Sequence, residues 1–451
     1  MPPPSSREPD SEGAALETDL GGVPEKSPRG RPQRAPKPRS GPEPTMSKPR
    51  GGPEPTVYPI DLEDRIDPDA AKVMRRLVKG GYEAYLVGGG VRDLLVDITP
   101  KDFDVATSAR PDDVRRLFRN SRIIGRRFRL VHVLFGGGKV IETATFRRAP
   151  QQEDNDSEDL LIRTDNVFGE AHQDAARRDF TINALFYDLE HHVVLDWVGG
   201  MPDIGRRTVH TIGDPSVRFR EDPVRILRAI KFSARLDFGI SPEVYDAMVE
   251  CRAALARAAK PRLFDELVKL LRSGAAHRAF WLMWEIGLLD VLLPELSTYL
   301  ADQPDEEDTF WRLLDAVDSA TRENGPLDDV VLVTILLAEP LKEACNGARD
   351  RVEAAYRFLE AIVDRLNVPR RIAEPVRRVV AILPRLESGK GGRFERSSLF
   401  NVVREVADLY ARARGEHVEQ RPDEPRYTVE GEPGTGATRK RRRRRRRPEA
   451  G

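Results

Sequence analysis

The sequence predicts an α+β fold in which a small mixed domain precedes a longer, almost entirely helical region. Between residues 57 and 146, short strand-like segments alternate with helical ones, and mixed elements in so short a span indicate one compact domain. From residue 174 onward, apolar residues recur mainly at the three- and four-residue spacing of helices. Both chain ends are rich in Pro, Gly, Ser and charge, which predicts disorder there.

In the mixed domain, a first helix is expected to place Ala71, Met74, Leu77 and Val78 on one face and to end at Gly80 and Gly81. Strands are predicted at 84–87, 103–106, 131–135 and 140–146, with a helix at 111–118. A further strand pair is predicted at 185–187 and 193–196. The helices expected after it are 223–236, 242–256, 261–273, 275–286, 310–320, 329–337, 349–366, 371–383 and 397–412.

These patterns divide the chain into five segments. They are a disordered tail (1–55), a mixed head domain (56–180), a first helical segment (181–290), a second helical segment (291–414) and a disordered basic tail (415–451). The basic tail contains an unbroken cationic run at residues 439–447, where Arg441 and Arg444 are candidate contacts for a polyanion such as RNA. A solubilising or targeting tail is the alternative interpretation.

Composition excludes several classes of protein. The 451 residues carry 74 basic and 74 acidic side chains, so net charge indicates no particular partner. The longest apolar run, near residues 330–338, is far shorter than the roughly 20 residues of a membrane helix, and no signal-peptide core begins the chain. Cys251 and Cys345 fit no zinc or redox spacing, which predicts a reducing, cytoplasmic location without a membrane partner.

The first candidate site motif is a glycine turn at residues 86–93. An apolar strand runs into Gly88, Gly89 and Gly90 and then into a helix start that contains Arg92. Glycines permit a sharp turn and close approach to a ligand, amides at a helix start can bind phosphate, and a guanidinium offers a positive fork. Taken alone, the pattern fits an ordinary strand-to-helix turn equally well.

The second motif is the carboxylate pair Asp102 and Asp104. Residues two apart on a strand share a face, so Phe103 and Val105 would point into the core. Adjacent carboxylates repel, and an apolar strand tolerates them mainly when a cation lies between them. Their oxygens suit Mg²⁺ completed by water and substrate phosphates. A solvent-exposed strand edge is the alternative.

Together, the two motifs predict one site for a nucleoside triphosphate and two Mg²⁺ ions. This is the arrangement required for two-metal transfer of a nucleotidyl group to a 3′-hydroxyl. A third carboxylate commonly helps to hold the first ion, and Glu142, on the predicted strand 140–146, is the candidate. An exposed strand residue is the alternative interpretation of Glu142.

With these motifs in place, the chain resembles the class II tRNA nucleotidyltransferase and poly(A) polymerase superfamily. The resemblance begins at residues 86–95 and 102–107. Further motifs follow in the family's order at residues 177–185, 195–200 and 220–228. The similarity covers about residues 60–300 and fades through the second helical segment.

The resemblance implies a polymerase-beta-like nucleotidyltransferase head, a helical neck (181–290) and a helical body (291–414), with ATP as substrate and two Mg²⁺ ions. It implies that Asp102 and Asp104 bind metal and are catalytic. Asp179 resembles an acid that contacts the nucleotide ribose and is sometimes counted with the catalytic acids. Arg177 and Arg178 would neutralise triphosphate charge, as their chemistry also suggests.

The segment at 220–228 resembles the part of the family that reads the incoming base, through Glu221, Asp222 and Arg225. Asp222 and Arg225 are three residues apart and would share a helix face. A carboxylate can accept from an exocyclic amine, and a guanidinium can donate to ring nitrogens. A structural ion pair at a helix start is the alternative.

Within the family, the discriminating stretch is residues 123–134, which resembles a segment typical of bacterial poly(A) polymerases. Its Arg126 and Arg127 would lie on a turn beside the metal strand and contact phosphate. The basic tail fits a sequence-independent grip on many RNAs. The expected reaction is template-independent addition of AMP to RNA 3′ ends in mRNA polyadenylation and RNA turnover. The protein is expected to be a monomer, with RNA-decay machinery as the candidate protein partner. A CCA-adding enzyme and a non-catalytic RNA-binding protein are the alternatives.

Overall fold

The structure is a computed structural model, and it describes residues 52–125, 129–148, 167–302, 309–387 and 399–416. The predicted terminal tails lie almost entirely outside these ranges. So do four of the predicted phosphate or RNA contacts, Arg126, Arg127, Arg441 and Arg444.

Twelve strands and seventeen helices are present in the described ranges. The strands are β1 Thr56–Pro59, β2 Ala84–Val87, β3 Asp104–Thr107, β4 Ser121–Ile124, β5 Leu130–Leu134, β6 Val140–Thr145, β7 Arg147–Arg148, β8 Val167–Phe168, β9 Leu185–Asp188, β10 Val193–Asp196, β11 Thr208–Val209 and β12 Gly239–Ile240. The helices of the first half are α1 Pro68–Lys79, α2 Gly89–Leu95, α3 Pro111–Leu117, α4 Ala171–Ala176, α5 Gly200–Arg206, α6 Pro215–Glu221, α7 Arg225–Leu236, α8 Pro242–Cys251 and α9 Lys260–Leu271. Those of the second half are α10 Ala276–Glu285, α11 Leu289–Leu292, α12 Pro294–Asp302, α13 Thr309–Asn324, α14 Asp329–Ala344, α15 Arg351–Leu366, α16 Arg370–Glu387 and α17 Phe400–Ala413.

An eight-stranded sheet in the order β1-β10-β9-β2-β3-β6-β5-β4 forms the centre of the head. Its neighbouring strands are antiparallel, except that β3 and β6 run parallel. The strand pair β9 and β10 belongs to this sheet, so the head continues past the predicted boundary at residue 180. The return of the chain to the sheet is a long-range event with no local signal, so sequence patterns place the boundary before it.

Each face of the sheet has its own apolar core. Leu86 and Val105 face a cluster that includes Met74 and Leu77 of α1, whereas Val87 faces the opposite cluster with Phe146 and Phe186. Because side chains alternate along a strand, adjacent residues contribute to both layers. Of the four residues predicted on the apolar face of α1, Ala71, Met74 and Leu77 are buried, and Val78 is partly buried against the same cluster.

The helical region shares one core that runs from Phe180 to Tyr410. Helix α7 lies within it and buries Ile226, Leu227 and Ile230. The predicted division between neck and body near residue 290 does not coincide with a break in packing, since helices on both sides of it contribute to the same cluster. No helix in the described ranges is long and apolar enough to cross a membrane.

The predicted helix 223–236 differs from the structure at its start. The chain forms α6 and α7 with a break between them, and Asp222 at the end of α6 is extended, with φ −147° and ψ 91°. A residue that precedes proline avoids the helical region, and Pro223 follows Asp222. Helix α6 itself was not predicted, although Asp214 caps it and Pro215 occupies its first turn.

Buried Asp196 organises the turn from β10 into α5. Its carboxylate accepts hydrogen bonds from the backbone amides of Val198 (3.0 Å), Gly199 (2.9 Å), Gly200 (3.0 Å) and Met201 (2.9 Å). These amides belong to the start of the helix, where no intrahelical acceptor is available. The motif at residues 195–200 therefore has a structural role in closing the head.

We expect Asp196→Ala to lower the free energy of unfolding by about 2–4 kcal/mol, because four amides lose a charged acceptor at a buried turn. Urea denaturation followed by circular dichroism measures the change. Asp188→Ala is the matched control: Asp188 accepts only two backbone amides, at 2.9 and 3.3 Å, in the β9–β10 hairpin, and its loss should cost about 1 kcal/mol or less. Equal losses in the two variants would contradict this role of Asp196.

Candidate active site

The glycine turn and the carboxylate strand meet, as their sequence order predicts. Val87, at the end of β2, pairs directly with Asp104, the first residue of β3. Gly88 then adopts a φ of +70°, which favours glycine. A Cβ atom on Gly90 would lie 3.4 Å from the carbonyl oxygen of Asp102, so the turn packs closely against the carboxylate segment.

Asp104 is the most perturbed carboxylate of the site. It is exposed to solvent, yet desolvation by the surrounding protein, together with the negative charges of Glu142 and Asp102, raises its pKa to about 6. Neither Asp104 nor Asp102 forms a hydrogen bond or ion pair with any residue that the structure describes, so their mutual repulsion is not compensated by a neighbouring donor.

Two details of the predicted carboxylate group need correction or refinement. Asp102 precedes β3 rather than lying within it, so strand alternation does not place the pair side by side. Glu142 is on β6, whose parallel register pairs Thr143 with Val105, and this brings Glu142 beside Asp104. The imidazole of His132, opposite Glu142 on β5, lies 3.4 Å from its carboxylate.

The chemistry of these side chains fits a divalent cation. Asp102, Asp104 and Glu142 present hard oxygen donors of the kind that Mg²⁺ prefers, and the negative charges of Glu142 and Asp102 contribute to the raised pKa of Asp104. In the described ranges, no three potential ligands are assembled into a finished metal site. The assignment of Asp102 and Asp104 as ligands, and of Glu142 as the third, therefore remains a prediction.

Arg177 and Arg178 are both held by Asp174, a buried residue at the end of α4. Arg177 Nε donates to one oxygen of Asp174 at 2.9 Å, and Arg178 Nη2 donates to the other at 2.9 Å. Burial opposes the charge of Asp174, but the two guanidinium groups outweigh it and lower its pKa. The sequence analysis missed Asp174, although its spacing of three and four residues from the arginines on a helix was a usable signal.

Arg178 links the arginine pair to the glycine turn. A Cβ on Gly88 would lie 2.9 Å from Arg178 Nη1, and the Arg178 charge lowers the pKa of Asp104 against the stronger effects of burial and the carboxylates. The structure thus brings Gly88, Arg178 and Asp104 into one cluster. No such proximity is evident for Gly89, whose Cβ position faces Arg92 at 3.5 Å.

Asp179 lies at the junction between the head and α7. One carboxylate oxygen accepts from Arg228 Nε at 2.6 Å, and the other accepts from Asn183 Nδ2 at 3.1 Å and from the Phe180 amide at 2.9 Å. Burial would raise the pKa of Asp179, but the Arg228 charge and these hydrogen bonds hold it below its ordinary value. Both oxygens are engaged by protein donors, so the geometry supports a positioning role.

Arg92 is not an open phosphate fork in the structure, and its assignment as a nucleotide-binding residue stays a prediction. Its side chain is buried, and it donates to Asp93 and, at 2.5 Å, to Asn183. The guanidinium also lies 4.8 Å from the centre of the Phe232 ring on α7. Arg92 therefore connects α2 to α7, a long-range contact that the spacing of the glycine motif does not reveal.

The base-reading residues are arranged differently from the expected helix face. Because of the break at Asp222, Arg225 pairs with Glu221 at 3.0 Å rather than with Asp222. Asp222 instead accepts from Arg262 of α9 at 2.8 Å. Arg218, which the sequence analysis did not single out, also donates to Glu221, at 2.9 Å. These contacts place Glu221, Asp222 and Arg225 at the start of α7, next to the arginine pair.

Two family descriptions match the chain. Residues 84–210 match "Poly A polymerase head domain", and residues 237–300 match "Probable RNA and SrmB- binding site of polymerase A". The first match ends after β10, in agreement with a head that extends past residue 180.

Relatives of two kinds are found. The chain is 39% identical over 345 residues to poly(A) polymerase I of Salmonella typhimurium, which covers 73% of this chain and 74% of that protein. It is 38% identical over 247 residues to a CCA-adding enzyme of Geobacillus sp., covering 55% and 59%. Among solved structures, the CCA-adding enzyme of Bacillus stearothermophilus in complex with CTP matches with a TM-score of 0.54 at 26% identity, covering 78% and 82%.

We expect Asp104→Asn to stabilise the metal-free protein at neutral pH. Asp104 has a folded pKa of about 6 against an ordinary value of 3.8, so the folded state binds more protons between these values. Wild-type stability therefore falls as pH rises through this window and levels off above it. Asp104→Asn does not lose stability in this way. Its free energy of unfolding should exceed that of the wild type by near zero at about pH 4 and by about 1 kcal/mol at about pH 7.5, allowing for solvent screening.

Urea denaturation at several pH values measures this difference. Added Mg²⁺ should stabilise the wild type and not the variant, since ligand binding to the folded state raises stability. Asp97→Asn is the control: Asp97 is an exposed carboxylate of the same domain, has a φ of +59° that asparagine tolerates, and pairs only with Arg65. If Asp104→Asn and the wild type have the same free energy of unfolding at pH 7.5, the ionised Asp104 carboxylate does not destabilise the folded protein.

Proposed function

Because this chain belongs to the poly(A) polymerase family, we propose that it is a template-independent polynucleotide adenylyltransferase, which transfers AMP from ATP to the 3′-hydroxyl ends of RNA and releases pyrophosphate. The single observation that carries the chemistry is Asp104. It is an unpaired carboxylate with a pKa of about 6, in direct register with the end of the strand that enters the glycine turn.

The chain's own residues divide the work of the reaction between them. Asp102 and Asp104, with Glu142 as the proposed third ligand, would hold Mg²⁺ at the end of β3. When bound, the two ions supply the Lewis-acid chemistry that activates a 3′-hydroxyl and stabilises the leaving pyrophosphate. Gly88 lies against Arg178, whose Nη1 would be only 2.9 Å from a Cβ at that position, and Arg177 and Arg178 would neutralise the charge of a triphosphate bound beside this turn.

Base selection would come from side chains at the junction of α6 and α7. Asp222 can accept from the exocyclic amine of adenine, and Arg225 can donate to a ring nitrogen. Glu221 holds Arg225 in place at 3.0 Å. Since protein groups rather than a template strand would read the base edge, their fixed positions would determine which nucleotide is added.

Polyadenylation is favoured over CCA addition by the extent of similarity. The match to a poly(A) polymerase I spans 345 residues, whereas the match to a CCA-adding enzyme spans 247 residues. The arginines at 126, 127, 441 and 444 would add a sequence-independent grip on RNA. A role in mRNA polyadenylation and RNA turnover in the cytoplasm, by a monomer, follows from this proposal, and the two free cysteines fit a reducing compartment.

The reaction is tested with purified protein, Mg²⁺, an unstructured RNA without a CCA end, and each nucleoside triphosphate separately. We expect a long ladder on a sequencing gel with ATP only. Asp104→Asn should reduce the rate by about a thousandfold or more, because the site loses a charged metal ligand. Asp97→Asn, which changes an exposed carboxylate of the same domain, should extend RNA at the wild-type rate.

Other outcomes would point to the alternative functions. Repair of tRNA that lacks its CCA end, using CTP and ATP without extension of the unstructured RNA, would identify a CCA-adding enzyme. No extension of either substrate by folded protein, together with RNA binding, would favour a non-catalytic RNA-binding protein.

Arg178→Lys should raise the KM for ATP about tenfold while lowering kcat less, because lysine keeps the charge but loses the planar fork that spans Asp174 and the glycine turn. Initial rates over a range of ATP concentrations measure both parameters. Arg206→Lys is the matched control: Arg206 also pairs with a buried carboxylate three residues earlier, Asp203, but on α5. A similar rise in KM in both variants would mean that Arg178 does not contact the nucleotide.

A further inference from the structure

One guanidinium joins the two halves of the proposed nucleotide site. Arg218 lies on α6 with only 12% of its side chain exposed. Its Nη2 donates to the backbone carbonyl oxygens of Arg177 at 2.9 Å and Arg178 at 2.5 Å. Its Nη1 donates to Glu221 Oε2 at 2.9 Å.

The head end of this bridge leads to the phosphate side. Arg177 and Arg178 directly precede Asp179 in the chain, and both side chains donate to Asp174. Arg178 reaches the glycine turn, since a Cβ on Gly88 would lie 2.9 Å from its Nη1. Because Arg218 binds the two carbonyl oxygens, it fixes the backbone from which the side chains of Arg177 and Arg178 extend.

The neck end of the bridge leads to the base side. The Glu221 oxygen that receives Arg218 also receives Arg225 Nη1, at 3.0 Å. Arg225 Nη1 donates in addition to the carbonyl oxygen of Arg218, again at 3.0 Å. Two guanidinium groups therefore share one carboxylate oxygen, and a shift of either one alters the position of the other.

The Nε–H group of Arg218 shows that these contacts constrain the orientation of the guanidinium. Its Nε is buried and has no hydrogen-bond partner in the structure. An unsatisfied buried donor costs roughly 1–3 kcal/mol, and such groups are uncommon unless another requirement fixes them. The two carbonyl groups and Glu221 supply that requirement here, because a planar guanidinium cannot satisfy them and still turn its Nε elsewhere.

We propose that Arg218 is a positioning residue that couples base recognition at Glu221 and Arg225 to the triphosphate grip of Arg177 and Arg178, and that it thereby determines the preference for ATP. The inference rests on the proposed function. When the correct base binds, Arg225 keeps its position and so does Glu221. Through Arg218, the arginine pair is then held in the geometry for transfer. A wrong base displaces this chain of contacts, and displacements of about 1 Å can cost about a hundredfold in rate.

The test compares Arg218→Lys with wild type in single-nucleotide addition to an RNA primer, with ATP and CTP measured separately. Lysine keeps the charge but cannot reach both carbonyl groups and Glu221 with a planar fork. We expect kcat/KM to fall about thirtyfold for ATP and only a few-fold for CTP, so the ATP-to-CTP ratio narrows by about tenfold. Arg220→Lys is the control, since Arg220 lies on the same helix, is exposed and pairs with Glu250.

Thermal unfolding verifies that each variant is folded. If Arg218→Lys does not fold, Arg218→Gln is used instead, since its amide can still donate to a carbonyl oxygen. The ATP-to-CTP ratio of kcat/KM is then compared with that of the wild type in the same way. An equal loss for ATP and CTP, or no loss, would overturn the coupling role and leave Arg218 as a contact that only holds α6 to the head. Absence of adenylate addition by the wild type would instead contradict the proposed function, so the two failures are distinguishable.

Discussion

The distribution of charge around Asp104 is the constraint on which the site depends. The arginines of the proposed nucleotide site and of its junction with α7 have carboxylate partners: Asp174 holds Arg177 and Arg178, Glu221 holds Arg218 and Arg225, and Asp179 holds Arg228. Asp104 has no such partner, and burial together with neighbouring carboxylates raises its pKa to about 6. Five arginines share three carboxylates and keep a net positive charge, whereas the negative charge of Asp104 is opposed only in part, by Arg178. This separation suits a substrate that brings both phosphate and metal.

Arginines of α7 connect the helical region to the head through ion pairs with carboxylates of the head. Arg235 of α7 donates to Asp93 at 2.7 Å, and Arg228 of the same helix donates to Asp179 at 2.6 Å. The Arg92 guanidinium, which also binds Asp93, packs on Phe232 between these two contacts. Helix α7 in turn buries its apolar face in the large helical core. Because buried, paired charges tolerate little displacement, the carboxylate strand and the base-reading segment are held in one fixed relation.

The parts of this site that could be predicted are those with a local signature. The glycine turn, the carboxylate pair and the arginine pair each occupy a short stretch whose chemistry is evident without the fold. The direct register of Val87 with Asp104 then follows from two strands whose ends were predicted to within a residue. The burial of Arg92 and the pair Asp179–Arg228 could not be predicted, because they depend on contacts 49 or more residues apart. The break at Asp222 had a local signal in Pro223, which a helical spacing of three residues obscured.

Template-independent addition places an unusual demand on rigidity, and the break between α6 and α7 meets it. A continuous helix would present Asp222 and Arg225 on one face, free to pair with each other. The extended backbone at Asp222 separates them: Asp222 is tied to Arg262 of α9, and Arg225 to Glu221 of α6. The two groups proposed to read the base are therefore held from opposite sides by different helices. A base edge can be recognised by such groups only if they do not relax toward one another when the nucleotide leaves, and separate anchoring prevents that relaxation.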